Sequence, residues 1–417
     1  MDKKIHKKKI FNDPVYGFIT IPDDFIYSVI EHPWFQRLRR IRQLGLTDYV
    51  YPGANHSRFH HALGAMHLMG LAIQSLRNKG HEITDDEALG SHLAILLHDI
   101  GHGPFSHALE NSIIPGLHHE KLSLWFMQAL NEEFSEKLTT AIEIFTDTYP
   151  KRFLHQLVSS QLDVDRLDYL KRDSFYTGVA EGTVGSDRII KMMEVVNDGL
   201  VIEEKGLYSI EKFILARRFM YWQVYLHKTV ISAENLLVNM LKRARELMMK
   251  GENVPTSSCL AYFLNPSSEI SDMRSGSPAL LSKFSGLDDY DIFASAKEWI
   301  NHSDKILSDL SKRLINRKLL KIKIQNSPFN PEEIMTLKEK FMSNHLITDS
   351  DAEYFVFNGK IENSAYRPFE EKINIFLKSG EVIDIREASE QLRISVLTES
   401  TQKYFLCFPQ ELVTQAS

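Results

Sequence analysis

The sequence predicts a mainly α fold, with a helical core over residues 1–250 and a smaller α+β lobe over 251–417. Three observations carry this expectation. Apolar residues recur at helical spacing from about 24 to 250. A Pro/Ser/Gly-rich interval at 251–288, containing Pro255, Pro266, Gly276 and Pro278, then reads as a flexible linker or insertion. Beyond residue 350, short apolar patches alternate with turn residues, as strands do.

The elements follow in chain order. Residues 10–21 read as an extended or hairpin entry, with Asp13-Pro14 and Tyr16-Gly17 as turn signals. The helical pattern breaks at Tyr51-Pro52-Gly53 and around Gly178–Gly185. Thr84 and Glu87 form a capping box for a helix whose residues 88–97 are apolar nearly all round, which places it in a core. Gly101, Gly103 and Pro104 stop it. Another helix is expected over about 158–173, and a later one carries Arg217, Tyr221 and Tyr225 four apart on one face, with Lys228 nearby. Helices are expected again near 289–321 and 331–343. Tyr354–Ile361, Lys372–Phe376, Glu381–Ile385 and Tyr404–Phe408 are the candidate strands.

The most informative run is His98-Asp99-Ile100-Gly101-His102-Gly103-Pro104-Phe105-Ser106-His107. An aspartate at the end of an apolar helix is costly to bury unless it is paired or coordinated, so the run reads as a metal site. A third ligand is sought in His56–His61 and a fourth in Asp163–Asp165, giving a His/His/Asp/Asp set without thiolate. Such ligands suit Mn, Fe, Zn or Mg. At 100° per residue, Asp165, Arg166, Tyr169 and Asp173 share an arc of about 100°, and Asp168 points elsewhere.

Bulk properties narrow the classes. Hydrophobic content of 43% and charged content of 25% describe an ordinary globular chain. A net charge of −6 gives no broad footprint for nucleic acid, so an anion needs a local cationic site. Cys259 and Cys407 alone make neither a disulfide framework nor a thiolate zinc site. No signal region follows the basic N-terminus and no stretch is long enough for a bilayer, so a cytoplasmic protein without membrane partners is expected.

The chain resembles the HD-domain deoxynucleoside triphosphate triphosphohydrolase family, which includes bacterial dNTPases and dGTPases and the human SAM-and-HD-domain protein. The resemblance rests on Ile10–Pro14, Phe35–Arg39, Gln43-Leu44-Gly45, Pro52-Gly53-Ala54, Arg58–His61, His98–His107, Asp163–Asp173 and His227-Lys228. It is dense over about 9–230 and implies an HD-domain helical core. It implies His61 (not His60), His98, Asp99 and Asp165 as metal ligands. His102 would be the active-site histidine, assisted by Glu110, where the family also shows Asp, and by His119. It assigns Arg58 and Arg166 to phosphate, Arg217 to the triphosphate, and Tyr169 and Asp173 to the sugar and its 3′-hydroxyl. Tyr225 would pack on the deoxyribose, Gln43 and Leu44 would flank the sugar, and Asp163 and Tyr221 complete the substrate set.

The implied reaction is hydrolysis of a dNTP to deoxynucleoside and intact triphosphate, with dGTP the first substrate to try and additional Mg accompanying the nucleotide. His107 is the first candidate to protonate the departing 5′-oxygen, with His102 and His119 as alternatives. The Lys3, Lys4, Lys7, Lys8, Lys9 cluster reads by itself as a solvated tail. By resemblance, however, Lys9, Glu31, Gln36 and Arg39 match positions that bind an activating nucleotide between subunits. A nucleotide-activated homo-oligomer, dimer or tetramer, is therefore expected. The competing readings are another HD-domain nucleotide phosphohydrolase or phosphodiesterase, and a non-catalytic nucleotide or nucleic-acid binder.

Overall fold

The computed structural model describes residues 9–105, 108–114, 116–265, 276–363, 366, 371–389 and 401–414. It is mainly α, with small sheets. Three helices frame the site: Arg58–Asn78, Asp85–Leu97 and Val164–Thr177, the first packing against both others. Each begins where its cap dictates. Ser57 and His60 cap the first, and the Thr84–Glu87 box caps the second. The third starts at Val164, not near 158, because Asp163 is its cap: Oδ1 accepts the Arg166 N–H at 2.7 Å and Oδ2 the Ser160 N–H at 2.8 Å. Gly178, at φ 74°, then ends this helix in the left-handed region.

β1 (Ile10–Asp13) and β2 (Gly17–Thr20) form the entry hairpin, in register Ile10↔Thr20. A second hairpin, β3 (Met193–Val196) and β4 (Gly199–Glu203), interrupts the region expected to be helical. Its two-residue loop has Asn197 at φ 51° and Asp198 at φ 60°, the conformation that tight hairpins demand.

β5 (Lys321–Gln325), β9 (Thr401–Phe408) and β6 (Phe357–Asn363) form an antiparallel sheet in the order β5-β9-β6. β7 (Asn374–Phe376) instead returns to pair in parallel with β4, and β8 (Val382–Asp384) extends that sheet. Contacts thus cross the 250/251 division expected from the sequence. The helical stretch expected near 289–321 holds two helices, Asp289–Trp299 and Lys305–Ile315, and gives way to β5 at Lys321.

The interval 251–288 is not a loose linker where it is described. Ser258–Leu264 and Pro278–Ser285 are helices that bury Leu260, Phe263, Leu280, Leu281 and Phe284 in the core. Fully buried Arg37 donates to the Leu287 carbonyl at 3.1 Å and the Ile100 carbonyl at 2.7 Å, tying this interval to the metal-site turn. Burial pushes its guanidinium down to about 9. Among the described residues no helix is long and apolar enough to cross a membrane.

Candidate active site

His61 leaves the first turn of the Arg58–Asn78 helix with no exposure. Its Nδ1–H is donated to Asp168 Oδ2 at 2.7 Å, so the lone pair lies on Nε2. His98, just past Leu97, donates Nδ1–H to the Ile95 carbonyl at 2.6 Å, which fixes the same tautomer. Both Nε2 atoms are buried without a hydrogen-bond partner. Carboxylate oxygens converge on them: Asp165 Oδ1 is 3.0 Å from His61 Nε2 and 3.5 Å from His98 Nε2, and Asp99 Oδ1 is 3.3 Å from His98 Nε2. Two orphaned imidazole nitrogens facing two carboxylates fit a divalent cation, and their remaining ring nitrogens are already oriented from behind.

Against burial, the cationic surroundings of Asp99, with the Arg58 guanidinium hydrogen-bonded to it, hold its carboxyl well below its usual range. His102 meets the same Asp99 oxygen as His98, Nε2 to Oδ1 at 3.3 Å, and stacks on His119 with ring centroids 3.8 Å apart. Burial, then the Arg58 guanidinium, pushes the His102 imidazole well below its usual range. Arg58 Nη1 donates to Asp99 Oδ2.

The cluster opens into a cleft of about 440 Å³, a size that suits a small organic ligand. On its wall, Asp173 accepts the Tyr225 hydroxyl at Oδ2, 2.8 Å, and meets His56 Nε2 at Oδ1, 2.7 Å. His56 is stacked on Tyr176 at 4.4 Å between ring centroids.

The comparisons with known proteins place the chain among phosphohydrolases. A family model described as HD associated region matches residues 184–262. A phosphohydrolase of solved structure from Bacteroides thetaiotaomicron superposes with a TM-score of 0.93 at 50% identity, covering 96% of this chain and all (100%) of that one. The chain belongs to the HD-domain phosphohydrolase family. It is also 33% identical to the uncharacterized protein YwfO of Bacillus subtilis, over 98% of this chain and 94% of that protein. Identity to the deoxynucleoside triphosphate triphosphohydrolase SAMHD1 homolog of Dictyostelium discoideum is 33%, over 58% of this chain and 50% of that protein. The chain thus spans about half the length of such relatives.

Within this HD-domain cleft, Gln43, Leu44, Arg58, Asp99, His102 and His119 line one part. Asp165, Arg166, Tyr169, Asp173, Tyr221 and Tyr225 line another part. Arg217 is buried outside the lining, donating Nη1–H to Gln161 Oε1 at 3.2 Å. Asp163 also lies outside it, as the helix cap, and burial pushes its carboxyl up to about 6. His107 and the Glu110 side chain lie outside the described residues.

The even four-residue stripe is modified. Leu207–Met220 is α-helical, but Tyr221–Tyr225 is a π turn closed by Leu226 N–H to Tyr221 O at 2.7 Å. Tyr221 and Tyr225 then meet edge to face with centroids 5.1 Å apart.

Away from the cleft, Arg39 lies 3.6 Å above the Phe59 ring and donates to Gln36 Oε1 at 2.7 Å. Lys9 sits 5.0 Å from the Tyr27 ring, and Glu31 is exposed at the end of helix Asp24–Glu31.

Sequence reasoning missed three groups. Asp168, set off the substrate face by its helical phase, orients His61 from behind and also accepts Arg172. His56 fell within a candidate run but was not singled out, and it braces Asp173. Asp289 accepts the Arg42 and Phe105 N–H groups, each at 2.9 Å, and so fixes the backbone beside Gln43 and the turn after His102. No local sequence signal announces a contact between residues so far apart in the chain.

Proposed function

We propose that the protein is a metal-dependent deoxynucleoside triphosphate triphosphohydrolase that releases deoxynucleoside and inorganic triphosphate. The observation that carries this reading is Asp173, which holds the Tyr225 hydroxyl and His56 in the same cleft as the His/Asp cluster. A carboxylate there can accept a sugar 3′-hydroxyl, and the Tyr225 ring beside it offers C2′ an apolar face with no partner for a 2′-hydroxyl.

His61, His98, Asp99 and Asp165 would hold the cation, with Asp168 and the Ile95 carbonyl keeping both imidazoles in register. A divalent cation bound there supplies Lewis acidity toward a phosphate oxygen and lowers the pKa of water. Arg58 and Arg166 would offset charge developing on the phosphates, with Arg217 toward the far end of the triphosphate. A histidine, His107 before His102 or His119, would protonate the departing 5′-oxygen. Lys9, Glu31, Gln36 and Arg39 would contact an activating nucleotide between copies of the chain in a dimer or tetramer. A cytoplasmic setting suits the two free cysteines.

The deciding experiment incubates purified protein, supplemented with Mn, Fe, Zn or Mg, with each of the four dNTPs alone and in pairs, and resolves the products. Inorganic triphosphate is the expected product. Pyrophosphate or monophosphate overturns the reading, and equal rates for single and mixed dNTPs overturn nucleotide activation.

A further inference from the structure

Glu234 lies in the second turn of helix Lys228–Met249 and lines the cleft together with Leu44, Gly45, Phe105 and Leu226. Its helix neighbours Val230, Ile231, Ala233, Leu236 and Leu237 are buried in the core. Across from it, a Cβ added to Gly45 would stand 3.8 Å from Glu234 Oε1. The other carboxylates of the cleft are engaged: Asp99 by Arg58, Asp165 by the imidazoles, and Asp173 by Tyr225 and His56. Glu234 alone among them has no hydrogen bond or ion pair with the described residues, and burial by itself pushes its carboxyl up to about 7. Half-buried at the cleft wall, with no donor among the described residues to satisfy it, this carboxyl is open to a ligand that brings hydrogen-bond donors.

The reading of the cleft as a dNTP site leaves one part of the ligand unassigned. The phosphates go to the cation cluster and arginines, and the sugar to Asp173 and Tyr225. The base then faces the remaining wall, where Leu44, Phe105 and Leu226 offer apolar surface and Glu234 the one charge. A carboxylate pairs only with donors. Guanine presents its ring N1–H and 2-amino group side by side, matching both carboxylate oxygens. Adenine and cytosine offer one amino group beside an acceptor nitrogen. Thymine offers a single N–H flanked by two carbonyls, which the carboxylate repels.

We propose that Glu234 is the base-reading residue of this cleft, accepting hydrogen bonds from the base edge and ranking guanine first and thymine last. The inference rests on the dNTP reading above, and its test is separate from turnover. Binding of the four 2′-deoxynucleosides, which carry no phosphate, is measured by calorimetry at about pH 8.5, where Glu234 is ionised, for wild type, Glu234→Gln and Glu234→Asp.

Wild type should bind deoxyguanosine most tightly and thymidine least. Glu234→Gln should weaken deoxyguanosine about tenfold or more while leaving thymidine within about twofold, because an amide keeps only one acceptor. Thymidine binding therefore reports that the variant is folded, and Glu234→Asp, a shorter carboxylate, should fall between. An unranked wild type, or a Glu234→Gln protein that keeps the wild-type ranking, overturns the proposal. A Glu234-dependent ranking in a protein that releases no inorganic triphosphate would uphold the base contact and overturn only the reaction.

Discussion

Asp168→Asn is the sharpest perturbation of the metal cluster, because it acts through orientation and removes no ligand. Asp168 Oδ2 accepts His61 Nδ1–H at 2.7 Å and Arg172 Nε–H at 2.9 Å, and Oδ1 accepts Arg172 Nη2–H at 3.0 Å. All three side chains are fully buried, and Arg172 continues to Asp13 Oδ2 at 2.7 Å. An asparagine has one acceptor oxygen where the carboxylate has two, so either Arg172 Nη2–H loses its partner or His61 Nδ1–H and Arg172 Nε–H lose theirs together. It also removes the charge that makes the imidazole a better donor to a cation.

Loss of such a group lowers metal affinity about 10–100-fold, or roughly 1.4–2.7 kcal/mol. The Arg172 arm adds a folding penalty below the roughly 3–5 kcal/mol of a fully broken buried pair, since Asp13 remains. Competition with a chromophoric chelator for Mn²⁺ or Zn²⁺ measures the first quantity, and the urea midpoint the second. A folded Asp168→Asn protein with wild-type metal affinity would refute the orienting role.

Three further outcomes are expected. Gly64→Ala would set a Cβ 2.1 Å from both Arg172 Nη2 and Asp168 Oδ1. The resulting overpacking should cost about 1–3 kcal/mol or more in the urea midpoint, outweighing alanine's better helix propensity. Tyr225→Phe removes the hydroxyl given to Asp173 and should lower kcat/KM for dNTPs about 2–10-fold, whereas Tyr225→Ala should narrow the ratio of dATP to ATP turnover. An unchanged ratio removes Tyr225 from sugar discrimination. Burial raises the Asp289 carboxyl to about 6 from an ordinary 3.8, so folding binds a proton and this contribution to stability is lost as pH rises between about 4 and 6. The loss is about 3 kcal/mol, and urea midpoints at pH 4 and 7 should differ less in Asp289→Asn than in wild type. Parallel pH profiles would contradict this.

What could be read in advance follows from where the physical cause sits along the chain. His98 and Asp99 were legible because an apolar helix ending in His-Asp states its own electrostatic problem, and Thr84 and Glu87 announced that helix locally. The wheel that joined Asp165, Arg166, Tyr169 and Asp173 also found a wall of the cleft, but it set Asp168 aside. A residue serving a ligand from the opposite side is out of phase with the ligand's own face. Asn197-Asp198-Gly199 is a hairpin-type turn sequence, but it lies within a long stretch of helical periodicity that hides the two short strands it joins. Glu234 looks like any acid on an amphipathic helix until the partners around it are found missing. The tail strands were visible from their composition, but nothing local states that β7 pairs with β4 while β6 pairs with β9.

The contacts made by residues 287–289 bear on how this protein can be divided. Arg37 holds the Leu287 carbonyl, Arg40 meets Asp288, and Asp289 carries the backbone of Arg42 and Phe105. A fragment cut where the long helical stretch ends near residue 250 would keep every proposed cation ligand and lose the scaffold for two walls of the cleft. The smallest catalytic unit must therefore run past Asp289. The end of the Pro/Ser/Gly-rich interval, at Leu287 and Asp288, thus belongs in energetic terms to the cleft.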